Sequence, residues 1–112
     1  MNPRILPDQI DPIIHERTRL AIVSTLALVP EMSFNDIKES LSLTDGNLSA
    51  HARTLEDGGY VEIEKTFRGR RPLTTLRLTP KGRAAFQNYL SLLQRIVAQG
   101  KEGVEKRGKQ NG

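Results

Sequence analysis

The sequence has 112 residues, enough for one compact core and short for two. It has no cysteine and only 4% aromatic residues, which excludes disulfides, thiolate metal sites and cysteine nucleophiles and leaves little for a large stacking cavity. The formal charge of +4 hides an asymmetry: residues 1–64 hold five basic and eleven acidic side chains, residues 65–101 nine basic and no acidic ones. So one-sided a basic block points to a polyanionic partner, most often nucleic acid, although a solvated basic face would also account for charge alone.

Met1 to Asp11 lacks the basic-then-apolar run of a signal peptide, and no apolar run nears the ~20 residues that span a bilayer. A soluble, cytoplasmic chain without a membrane partner is expected. Residues 1–10 contain two prolines and no period, and read as an extended arm. Asp11-Pro12 supplies an N-cap followed by proline at a first helical position. Apolar residues then recur at Ile13, Leu20, Val23 and Ala27, with a second row at Ile14, Ile22 and Leu26, which predicts a helix to about Val29, stopped by Pro30. Because it is apolar on more than one face, this helix must bury against two layers of its own domain, or against one layer and a partner chain.

Ser33 with Asp36 three residues on predicts a capped short helix to about Ser42, with Phe34, Ile37 and Leu41 inward. Thr44 caps a third helix whose apolar positions are Leu48, Ala52 and Leu55, and Gly58-Gly59 ends it. Two short helices joined by a turn of a few residues form a helix-turn-helix. The period then becomes two. Val61 and Ile63 alternate with Glu62 and Glu64, and Leu76 and Leu78 with Thr75 and Arg77, around the turn Arg68-Gly-Arg-Arg-Pro72. This predicts a β-hairpin with a cationic tip, in which Gly69 is free to take positive φ. Thr79-Pro80 opens a last helix to about Gln99, with Phe86, Tyr89, Leu93 and Ile96 along one face and Leu90, Leu92 and Val97 widening it. Residues 100–112, with four glycines among charges, are expected to form a flexible charged tail beyond a domain of residues 11–99. The predicted order is helix, helix-turn-helix, two-stranded hairpin, helix: an α+β, mainly helical chain with the layout of a winged helix-turn-helix.

With Leu48, Ala52 and Leu55 inward, the third helix offers Thr44, Gly46, Asn47, Ser49, Ala50 and Arg53 to a partner, and His51, beside Ala52, reads as a packing or phosphate-contact residue. The first turn of a recognition helix points into the major groove. The Asn47 amide suits adenine N6 and N7, Gly46 and Ala50 let the backbone approach, and Ala50 can touch a thymine methyl. Thr44, Ser49 and the free N–H groups of the helix start suit phosphate oxygens, and Arg53 suits phosphate or guanine. Asp45 would repel phosphate unless it turns away or meets a cytosine amine. On the hairpin, Arg68, Arg70 and Arg71 have no acidic neighbours in the sequence. One of them suits a narrow minor groove, and the others, with Lys65, suit backbone phosphates. Two histidines without cysteine, His15 and His51, argue against a transition-metal site, and no cofactor is expected. The second half of the last helix, with parts of the first, is expected to pack on a second copy through Ile14, Ile22, Tyr89, Leu92, Leu93, Ile96 and Val97.

Three stretches carry a resemblance: Leu43-Thr-Asp-Gly-Asn-Leu-Ser-Ala-His-Ala-Arg-Thr-Leu-Glu-Asp-Gly-Gly-Tyr-Val61, Lys65-Thr-Phe-Arg-Gly-Arg-Arg-Pro72 and Leu78-Thr-Pro-Lys-Gly-Arg83. Over residues 11–97 the sequence resembles the MarR-like winged-helix transcriptional regulators, related to the ArsR type, in their short single-domain prokaryotic form. The middle stretch is similar to that family's K-x-F-x-G-R-x-P wing. The resemblance implies a homodimeric regulator, with Asn47, Ser49, Ala50, His51 and Arg53 facing groove or phosphate and Lys65, Arg68, Arg70 and Arg71 on the wing. Two positions depart from the family pattern. Ala52 stands where leucine is common, which implies a thinner core under the helix. Ala50 stands where an arginine often reads a base, which shifts base reading towards Asn47 and the wing.

The expected function is therefore sequence-specific binding of double-stranded DNA by a homodimer that blocks or helps polymerase. A winged helix used as a protein–protein module, or a non-specific nucleic-acid binder, is the alternative. The sequence shows no Ser-His-Asp arrangement and no glycine-rich phosphate loop after a strand, so no enzyme is expected. A small-molecule effector, if one binds, has a crevice at the dimer interface as its place; its identity is not legible.

Overall fold

Asp11 caps a helical turn, but that turn is not the start of the first long helix. In the computed structural model, which describes residues 4–111, Asp11 Oδ1 accepts from the N–H groups of Ile13 (2.8 Å) and Ile14 (3.2 Å) and closes one turn only. The chain then extends at Glu16 (φ −93°, ψ 134°), and α1 runs Arg17–Leu26. Glu16 is its true cap, its carboxylate accepting from the N–H groups of Thr18 and Arg19 at 2.9 Å each. The turn is pinned from behind by Arg19, whose Nε donates to the Ile13 carbonyl at 2.6 Å. The helix expected to start at Pro12 and reach Val29 is thus split at its front and stops three residues early. Ahead of it, Pro7–Gln9 form a 3-10 turn closed by Gln9 Oε1 accepting from the Leu6 N–H, where an extended arm was expected; residues 1–3 lie outside the described residues.

The next elements are β1 (Met32–Ser33), α2 (Phe34–Ser40) and α3 (Asp45–Asp57). Both expected caps form: Ser33 Oγ accepts from Asp36 N–H and Thr44 Oγ1 from Asn47 N–H, each at 3.1 Å. Between the two helices Ser42 takes φ +55°, the left-handed conformation that lets the chain reverse in so few residues. Gly59, at φ +80°, ends α3 and sends the chain into β2 (Val61–Arg68), which pairs antiparallel with β3 (Arg71–Leu78). Their connection is the two-residue turn Gly69-Arg70, with positive φ at Gly69 alone, the pattern of a type II′ hairpin. The sheet has a third strand that the sequence reading lacked. β1 pairs with β3 through Met32 opposite Leu76 and Ser33 opposite Thr75, giving the order β1-β3-β2.

One core joins these elements: Ile22, Val23 and Leu26 of α1, Ile37 of α2, Leu48, Ala52 and Leu55 of α3, and Val61, Leu76 and Leu78 of the sheet. Each fully buried Leu or Ile contributes about 1.5–3 kcal/mol relative to an exposed one. The last helix, α4 (Pro80–Asn111), docks through its first turn. There Thr79 Oγ1 accepts from Gly82 N–H (2.9 Å) and donates to the Gly59 carbonyl (2.6 Å), and Thr79 N–H donates to the Tyr60 carbonyl (3.0 Å). At 32 residues α4 is about 48 Å long, most of the molecule's 67 Å longest dimension. Residues 100–111, expected to be a flexible tail, continue this helix. Its three glycines there each cost about 1 kcal/mol against alanine, but no proline interrupts the run and Glu102 pairs with Lys106 one turn on.

Candidate nucleic-acid interface

Burying Leu48, Ala52 and Leu55 leaves Thr44, Gly46, Asn47, Ser49, Ala50 and Arg53 on the open side of α3. The Thr44 oxygen is occupied as a cap acceptor, so its hydroxyl proton is the part left for a partner. Among the described residues no hydrogen bond engages the Asn47 amide and no carboxylate pairs with Arg53. Asp45 is neutralised from within: Lys38 Nζ of α2 sits 2.8 Å from its Oδ1, which removes most of the repulsion it would offer a phosphate.

His51 is the exception. It is turned towards α1, where the Arg19 guanidinium, which can only donate, reaches its Nδ1 at 3.1 Å and Glu16 Oε2 lies 3.6 Å away. Of the two roles expected of it, packing or phosphate contact, the structure shows the packing, which leaves its side chain 24% exposed. Burial pushes the Glu16 carboxyl up, but the N–H groups of Arg19 and Thr18, with the nearby Arg19 guanidinium, outweigh it and hold the group below the ordinary carboxylate range.

The hairpin has two unlike faces. On its outer face Arg77 lies between two carboxylates, Nε to Glu62 at 2.8 Å and Nη1 to Glu64 at 2.9 Å. Hydrogen bonds to Glu64 and Glu62 raise the Arg77 pKa, so this arginine is already neutralised by its own wing. The opposite face carries Val61, Ile63, Lys65 and Phe67 in alternation, and its lower part looks at α3. A groove of about 660 Å³ separates them, lined by Ser49 and Arg53 of α3, Ile63 and Lys65 of β2, Thr74 of β3 and Phe34 of α2. Glu56 and Asp57 line it as well, so the cationic surface lies towards the start of α3 and the hairpin tip. Arg68, Arg70 and Arg71 stand exposed at that tip, with no carboxylate within 4.0 Å among the described residues. Ser49 and Arg53 of α3 and Lys65 of the hairpin therefore face one groove. Phe34 and Thr74 were not among the expected residues; Thr74 arrives as the cross-strand partner of Lys65, and Phe34 directly follows β1, whose pairing with β3 is too short to leave a pattern in sequence.

The residues expected at a dimer contact divide. Ile14 and Ile22 are 0% exposed, and Tyr89 and Leu92 are 4% and 7% exposed within a single chain. The Tyr89 hydroxyl lies 2.8 Å from His15 Nδ1, so α4 itself is the second layer that covers the turn before α1. These four are core residues, which corrects their assignment to a partner surface. Leu93 is half-buried, whereas Ile96 and Val97 are exposed, in a stripe that also includes Leu90 and Val104. Among the described residues no helix is long and apolar enough to cross a membrane, and no group of three His, Cys, Asp or Glu side chains is placed to hold a metal.

A recognition-type helix and a strand hairpin sharing one groove define a winged helix. The winged helix DNA-binding domain family matches residues 18–97, and the chain belongs to that family. It is similar to the uncharacterized protein MJ0432 of Methanocaldococcus jannaschii, 41% identical over 78 residues that cover 70% of this chain and 85% of that one. A solved transcriptional regulator homologue from Pyrococcus horikoshii OT3 is 32% identical, with a TM-score of 0.74 over 78% of this chain and 86% of the other. A regulator of the MarR family from Enterococcus faecalis V583, at 20% identity, shares the fold with a TM-score of 0.64 over 87% and 84%. The chain is thus a winged helix DNA-binding domain similar to a transcriptional regulator homologue, and it shares its fold with regulators of the MarR and ArsR families.

Proposed function

We propose that the chain is a sequence-specific regulator of transcription that binds double-stranded DNA as a homodimer in the cytoplasm. The observation that carries this reading is the cluster of exposed, unpaired Arg68, Arg70 and Arg71 at the tip of a hairpin whose lower part faces Ser49 and Arg53 of α3 across one groove. A protein-binding winged helix has no need of such a tip. In this reading Asn47 reads a base edge in the major groove, Gly46 and Ala50 allow close approach, and Thr44, Ser49 and Arg53 hold phosphates. Lys65 and two of the arginines bind the flanking backbone and one arginine enters the adjacent minor groove. His51 supports α3 from behind through Arg19.

The exposed apolar stripe of α4, with Leu93, Ile96 and Val97, supports the homodimer. A second copy would set two recognition helices on half-sites one DNA turn apart, about 34–36 Å, or a multiple of it. Blocking or recruiting polymerase then follows from occupancy of a promoter. Competition binding tests the reading: a duplex recovered by in-cell crosslinking to genomic DNA should outcompete bulk genomic DNA at every salt concentration. Equal binding of the two across the salt series would reduce the chain to a non-specific binder.

A further inference from the structure

Phe67 is 72% exposed, and isolated exposed apolar residues are common enough that this alone carries nothing. Its surroundings do. It occupies the last position of the alternating face Val61, Ile63, Lys65, Phe67, the face that lower down lines the groove against α3. Four residues beyond Ile63, it stands about 13 Å past the edge of the core, where no other element covers it. Its Cα partner across the hairpin is Pro72. There β3 lies beyond β1, whose pairing ends at Thr75, so a residue without an N–H breaks no ladder. Phe67 and Pro72 thus form a small apolar pair on a tight two-residue turn.

Lys65 shares the face of this pair, Arg70 stands in the turn beside it, and Arg68 and Arg71 alternate onto the opposite face of the thin ribbon, none with a carboxylate within ion-pair distance among the described residues. The carboxylates of this hairpin, Glu62 and Glu64, share that opposite face lower down but are committed to Arg77. A hairpin tip with an apolar pair on one face and cations beside and behind it is complementary to an apolar wall flanked by two rows of phosphates. The minor groove of DNA offers both, in its phosphate rims and deoxyribose walls, and apolar side chains wedged into it are an established way of gripping a duplex.

We propose that Phe67, backed by Pro72, is the apolar wedge of the wing, packing its ring into the minor groove while the arginines hold the phosphate rims. The inference rests on the DNA-binding reading above and adds a contact that charge does not supply. Its signature is the salt dependence. Releasing counterions from phosphates sets the slope of log affinity against log salt, at about 0.9 per phosphate neutralised, and an apolar contact leaves that slope alone.

The test is a salt titration of the full chain on a duplex recovered by in-cell crosslinking, comparing wild type with Phe67→Ala, Phe67→Leu and Arg70→Ala. Phe67→Ala should weaken binding about tenfold at every salt concentration, giving a parallel line. Phe67→Leu should recover much of the loss, and Arg70→Ala should both weaken binding and flatten the slope by about 0.9. Exposure of the ring predicts an unchanged unfolding midpoint for Phe67→Ala, so lost binding does not report lost folding. A Phe67→Ala affinity within about twofold of wild type, beside a flattened Arg70→Ala line, would overturn the wedge and leave the DNA reading standing. So would a Phe67→Ala line of altered slope, because the ring would then be acting through the arginines. If none of the variants changes binding, the wing is not on DNA and the broader reading fails with it.

Discussion

The Tyr60 hydroxyl donates to Asp11 Oδ2 at 2.5 Å, joining the residue that leads from α3 into the hairpin to the turn ahead of α1, 49 positions earlier in the chain. Burial, and then the Asp11 carboxylate, push the Tyr60 pKa up to about 12. An unfolded tyrosine titrates near 10. The folded state therefore holds this proton through a range in which the unfolded state has lost it. The resulting stability is complete below pH ~10 and falls as pH rises towards ~12. Tyr60→Phe should cost about 1–2 kcal/mol in denaturant unfolding at neutral pH and should remove this contribution to the alkaline decline. An unchanged alkaline decline in the variant would show that the bond does not form in solution.

Two glycines make opposite predictions. A Cβ at Gly82 would lie 2.1 Å from the Tyr60 carbonyl oxygen and 3.0 Å from Leu78 Cδ1, so the first turn of α4 can approach the chain there only without a side chain. Gly82→Ala should destabilise the fold by about 1–3 kcal/mol, as overpacking does. At Gly46 nothing lies within 4 Å, and alanine there should stabilise α3 by up to about 1 kcal/mol. If the backbone of Gly46 approaches DNA, the same change weakens duplex binding. Chemical denaturation and duplex titration of the two variants separate a glycine kept for packing from one kept for the partner.

The helix-turn-helix and hairpin were legible because their signals are local: Thr44 three residues before Asn47, the spacing of Leu48, Ala52 and Leu55, and the alternation after Gly59. Asp11-Pro12 misled for the same reason. A cap followed by proline starts one turn as readily as a long helix, and what ends this turn is Glu16 reaching the N–H groups of Thr18 and Arg19. Periodicity likewise established that the first helix is buried on two sides without saying by what. Ile14, Tyr89 and Leu92 are all buried within one chain, and Tyr89 bonds His15 beside Ile14, so the second cover comes from α4 of the same chain, and that is a tertiary fact. The groove residue Phe34 follows a two-residue strand pairing that no pattern in sequence encodes, whereas Thr74 follows from the hairpin register that sets it opposite Lys65.

The apolar residues left on α4 after that correction make a narrower dimer prediction. Leu93 and Val97 share a groove of about 490 Å³ with Leu90 and Lys101. Leu93→Asp combined with Val97→Asp should give a monomer in sedimentation analysis, and the concentration dependence of the wild-type melting temperature should vanish. Ile22→Val, a core change, should instead cost about 0.5–1.5 kcal/mol and leave the oligomeric state as it was. A double variant that remains dimeric would move the interface elsewhere on the molecule.

Arg77 and Arg71 are both cationic residues of β3, but only Arg71 is available to a phosphate. Arg77 is held by Glu62 and Glu64, whereas Arg71 stands opposite Arg68 at the tip, a like-charged pair that costs folding energy unless an anion arrives. Arg71→Ala should therefore leave stability unchanged or slightly raise it, weaken DNA binding, and flatten the salt slope by about 0.9. Arg77→Ala should leave the slope near its wild-type value, since that guanidinium has no phosphate to release. Its effect should be a modest loss of stability, about 0.2–1 kcal/mol for each exposed pair. Should the two substitutions flatten the slope equally, the carboxylates on the outer face of the hairpin do not hold Arg77 once DNA is bound, and that face of the wing takes part in binding as well.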